Sequence, residues 1–99
     1  MVKTHTEDND EKLERLIREC CEKYALVLYV QGWSRKTFDI LEPEKNGRHK
    51  CLMARIESLA VQNGEILYFD DSVLEFCMEL ANLFEENFDI KEAQLIKKA

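Results

Sequence analysis

His49 and Cys51 are the one imidazole and thiol that come close together along this chain. A cysteine nucleophile needs a base within hydrogen-bond reach. Residues two apart share a face on a strand but diverge on a helix, so the pair is well placed only in a strand. Arg48 and Lys50 flank His49, and their positive charge disfavours its protonation. The ordinary reading is a surface histidine beside a small packing thiol. The other histidine, His5, stands in a polar N-terminal stretch with no thiol or carboxylate pattern around it.

Cys20, Cys21, Cys51 and Cys77 are four, the number a structural zinc site uses, but their spacing does not suit one. Zinc knuckles place two cysteines two to four residues apart, so that a tight turn presents both thiolates. Adjacent Cys20 and Cys21 would sit about 100° apart on a helix. Cys20 and Cys77 also fall within apolar stripes, which points to buried thiols. No metal or cofactor is expected. A glycine-rich phosphate loop and a nucleophile elbow are both missing.

Asp71, Glu75 and Glu79 recur at i, i+4 and i+8, one face of a helix. Paired carboxylates can hold a divalent cation or divide acid and base roles. An exposed helix face offers no burial to separate their pKa values and no pocket for a substrate. The chain is therefore expected not to be an enzyme. Trp33 follows Gly32 at a hairpin tip. It is expected to fold back over the open face of the sheet or, failing that, to meet a partner.

The elements that would position these groups are legible in part. Leu13, Leu16, Ile17, Cys20 and Tyr24 form the apolar stripe of a first helix, capped by Asp8 or Asn9, with residues 1–7 a frayed tail. Ala25–Gln31 is apolar on both faces and reads as a central strand. A turn leads to Thr37–Leu41, a strand with Phe38 and Ile40 on one face and Asp39 on the other. Residues 49–63 fit two readings. Leu52, Met53, Ile56, Leu59 and Ala60 make a helical stripe ending at Gly64, whereas Leu52, Ala54 and Ile56 alternate as in a strand leading to an Asn63–Gly64 turn. Composition favours the helix. Glu65–Phe69 is a strand, and Ser72–Glu75 has the form of a capping box. The helix beyond it turns Val73, Phe76, Cys77, Leu80, Ala81, Leu83 and Phe84 inward and ends near Asn87. Phe88–Ile90 fits a short strand, and residues 91–99 a short basic helix or tail.

The expected fold is one α+β domain over residues 1–99: a mainly antiparallel sheet of three or four strands against two or three helices. Its order is α-β-β-α-β-α, or α-β-β-β-β-α if residues 49–61 form a strand. The second order loosely resembles a double-stranded-RNA-binding domain. Such a domain needs bases at the start of its last helix to hold phosphates, and this chain has Asp70 and Asp71 there. The bases Arg35, Lys36, Lys45, Arg48, Lys50 and Arg55 are diluted by Asp39, Glu42 and Glu44 to a local +3.

Charge is the strongest signal. Nine acids and no Lys or Arg lie between Ile56 and Ile90, so that segment is −9 while the rest of the chain is +3. Such asymmetry attracts basic surfaces and repels phosphate backbones. The expected function is a small, non-enzymatic protein-binding module. Its sharper form is an antagonist, of the toxin-immunity or phage counter-defence (anti-CRISPR) type, acting as a nucleic-acid mimic on a basic, nucleic-acid-processing partner. Its expected contacts are Glu65, Asp70, Asp71, Glu75, Glu79, Glu86 and Trp33, with no direct nucleic acid and no membrane. Alternatives are a homodimeric structural or regulatory subunit burying an open sheet face, and a small enzyme or sensor using His49 and Cys51. The polar N-terminus carries no secretory signal, so a cytoplasmic location with reduced thiols is expected.

Overall fold

A computed structural model describes residues 9–33, 35–47 and 50–98. Thus His5, His49, Arg48 and the tail at residues 1–7 lie outside the described residues. The elements are α1 (Asn9–Lys23), β1 (Val27–Gln31), β2 (Thr37–Leu41), β3 (Leu52–Glu57), α2 (Ser58–Gln62), β4 (Glu65–Tyr68), α3 (Leu74–Phe88) and β5 (Gln94–Lys97). A 3-10 turn, Asp71–Val73, precedes α3. The fold is α+β, as the composition and pattern indicated.

One sheet contains all five strands in chain order, β1-β2-β3-β4-β5. The first four form an antiparallel meander, and β5 runs parallel to β4. Because β4 and β5 are parallel, the chain needs a crossover, and α3 provides it. Of residues 49–63, favoured as a helix, the described part, 50–63, is corrected. Leu52–Glu57 is a strand, and only Ser58–Gln62 is helical. Tertiary pairing on both sides of β3 outweighs the helix-forming residue types. Residues 94–97 are a strand, not a helix or tail, and 89–90 are irregular.

Ala25–Gln31 is also corrected. Its strand lies at the sheet edge, and β3 is central. Ala25 itself closes α1 with φ 55°, in the left-handed region.

The core lies between the sheet and α1 with α3. Leu13, Leu16, Ile17, Cys20 and Cys21 come from α1, and Phe76, Cys77, Leu80, Ala81 and Phe84 from α3. They meet Phe38, Ile40, Ala54, Ile56, Ile66 and Tyr68 from one face of the sheet. The neighbouring Cys20 and Cys21 are both buried, the first against α3. No buried side-chain nitrogen or oxygen lacks a hydrogen-bond partner among the described residues.

Candidate binding surfaces

Three sets of side chains carry polar chemistry: the α3 acids, the β1–β2 turn and the helix-free face of the sheet. The strand directions place β4's start, Glu65, at the end of the sheet where the β1–β2 turn lies. From the opposite end α3 runs back, because β5 starts beside Gly64, where the Gln94 amide donates to the Gly64 carbonyl. Glu65, Glu86 and Trp33 therefore share one end, and Asp70, Asp71 and Glu75 the other. The expected contact residues do not form one patch.

Several of the acids are committed within the fold. Asp70 caps the 3-10 turn: its carboxylate accepts from the Ser72 amide at 2.9 Å, and that bond holds its pKa below the ordinary value. The anticipated Ser72–Glu75 capping box does not form, since Val73 stands at the N-cap of α3 without a side-chain bond. Asp71 pairs with Lys97 on β5 at 2.7 Å, and this raises the Lys97 pKa.

Glu79 spans the two long helices. It pairs with Lys23 and accepts a hydrogen bond from the Cys20 thiol at 3.2 Å. Lys23 and then Cys20 lower the Glu79 pKa, while Glu79 raises that of Lys23. Burial, reinforced by Glu79, pushes the Cys20 thiol up to about 12. Glu75 and Glu86 are exposed, and no ion pair to either forms among the described residues. They fall within about 20° of each other around α3 and about 16 Å apart along it.

Trp33 is 97% exposed and does not fold back over the sheet. Its neighbour explains the geometry. Gly32 has φ +91°, and a Cβ there would lie 2.2 Å from the Arg35 carbonyl oxygen. The tight turn thus requires glycine and leaves the indole in water.

On the face away from the helices, register sets Tyr29, Asp39, Arg55, Leu67 and Ile96 in one row across all five strands. Arg55 Nε donates to Asp39 at 2.8 Å, and Gln31 Nε2 donates to it at 3.0 Å. Asp39 lies on the face opposite Phe38 and Ile40, as its alternation indicates, yet it is 5% exposed and holds both donors. This row escaped the sequence reading. Its one trace was the apolar character of β1 on both faces.

The basic residues at 35–55 do not act as one patch. Lys36 pairs with Glu14 of α1 at 3.2 Å and Arg55 with Asp39, so they serve the fold's own ion pairs. Cys51 is exposed. No cluster of three or more His, Cys, Asp or Glu able to hold a metal occurs among the described residues. A cleft of ≈ 650 Å³ opens where α1 begins and α3 ends, with Asp10, Asp89, Lys91 and Glu92 among its lining. No helix among the described residues is long and apolar enough to cross a membrane. No family model, curated protein or solved structure matches this chain.

Proposed function

We propose that this chain is a non-catalytic protein-binding module that docks on a basic partner through the outward side of α3. One observation carries this reading. Glu75 and Glu86 point from that helix with no cation paired to them among the described residues, in a segment without a single Lys or Arg from Ile56 to Ile90. Unneutralised carboxylates on a rigid helix draw a basic surface into contact, and the attraction weakens with salt. Trp33, on the β1–β2 turn apart from α3, offers a second, separate aromatic contact of the kind that dominates binding hot spots. In the sharper form of this reading the partner processes nucleic acid, and the carboxylates stand where phosphates would sit.

The test is affinity capture from host lysate with nuclease added, at low and high salt. The bait is the native chain or the double variant Glu75→Lys/Glu86→Lys. A basic partner is expected at low salt, lost at high salt and lost with the variant. Equal capture by the variant would exclude the α3 surface. Glu79 is left intact because its contacts to Lys23 and Cys20 belong to the fold.

A further inference from the structure

The helix-free face of the sheet carries Val27, Tyr29, Leu41, Leu52, Leu67 and Ile96, and none of them packs with the core cluster. Tyr29 is 56% exposed and Ile96 39%. At one end the face is bounded by polar Gln31, Thr37 and Glu57. Apolar side chains flanking one charged couple, with a polar row at one end, match the mixed anatomy of an interface. The composition of β1 agrees: a strand apolar on both sides suits a sheet covered on both faces. In this fold only one face is covered, by α1 and α3.

We propose that a second copy of this chain covers the other face, the two sheets stacking about a two-fold axis parallel to the strands. The charge pattern selects both occupant and axis. Across the strands the row reads aromatic, acidic, basic, aliphatic, aliphatic: Tyr29, Asp39, Arg55, Leu67, Ile96. A two-fold axis along the row would set each residue against its own copy, so Asp39 would meet Asp39. An axis along the strands, between β2 and β3, reverses the row. Asp39 then faces Arg55 of the other copy, and Tyr29 faces Leu67. A second copy thus brings its own complement to the Asp39–Arg55 couple, the two ion pairs lying antiparallel across the interface. Sheets stacked this way keep their strands within about 30° of one another, about 10 Å apart.

Sedimentation equilibrium on the full chain tests this independently of the α3 surface. The native protein is expected at twice the 11.7 kDa chain mass. Tyr29→Lys and Leu67→Glu should each weaken self-association about tenfold or more, with thermal melts confirming that each folds. Met78→Glu, on the exposed side of α3, should leave the dimer unchanged. Mixing Tyr29→Lys with Leu67→Glu should restore a dimer, since the new charges would face each other. A native monomer at high micromolar concentration would overturn the proposal. So would a dimer indifferent to Tyr29 and Leu67, or the absence of recovery on mixing.

Discussion

Arg55 Nε stands 2.8 Å from an Asp39 oxygen on the side of the sheet that no helix covers, and the carboxylate is far less exposed than the guanidinium. Removing either member therefore has unequal consequences. Arg55→Met leaves a nearly buried carboxylate with only Gln31 to serve it and should cost about 2 kcal/mol. Asp39→Asn leaves an arginine that can turn to water and should cost less, about 1 kcal/mol. Urea unfolding of the two variants should show Arg55→Met as the less stable.

The Glu79–Lys23 pair makes stability pH-dependent in a defined sense. The folded pKa of Glu79 lies below its ordinary 4.5. Its contribution is therefore present above pH 4.5 and lost as pH falls through the folded value. Lys23 is raised above 10.5, so its share is present below that pH and lost as pH rises through its folded value. The stability gap between the native protein and Glu79→Gln should be widest near neutrality and close at both extremes. A gap that persists unchanged in acid would refute this account.

Burial pushes the thiols of Cys20, Cys21 and Cys77 up to about 12. Cys51 is exposed. A thiol reagent at pH 8 should modify Cys51 quickly and the others only after denaturation. The raised values also favour the folded state fully below pH 9.0, an advantage lost as pH rises through about 12. Rapid labelling of two or more native thiols would contradict the buried placement.

Trp33 and the α3 acids should separate binding from folding. Trp33→Ala and Glu75→Lys/Glu86→Lys should leave the melting temperature nearly unchanged, because these side chains are exposed and unpaired among the described residues. Partner capture should fall in both. Phe38→Ala is the contrasting case: the ring is fully buried, and its loss should cost about 4 kcal/mol. Differential scanning calorimetry distinguishes the two classes.

What the sequence disclosed followed local periodicity. The α1 and α3 stripes hold nearly residue for residue, because a 3.6-residue period names the inward face without reference to the rest of the chain. Residues 52–57 misled because their types favour a helix, while the hydrogen bonds that make them a strand come from Thr37–Leu41 and Tyr68. Residues 94–97 escaped for a like reason: their pairing partner is 29 residues upstream, across a helix. The acids were visible as charge, but which of them are neutralised depends on Lys23 and Lys97, brought close only by folding. The Tyr29–Ile96 row needs the register of four strand pairs and no local pattern contains it.

The order of the sheet has a consequence for how the chain is made. β2, β3 and β4 each pair with the strand synthesised just before them, so the meander can close in the direction of translation as it leaves the ribosome. The last strand breaks that rhythm. Until Gln94–Lys97 emerge, the outer edge of β4 offers unpaired backbone groups to any neighbouring nascent chain. Covering that edge of β4 thus falls to four residues, and the interval before they pair is when it is open to mispairing.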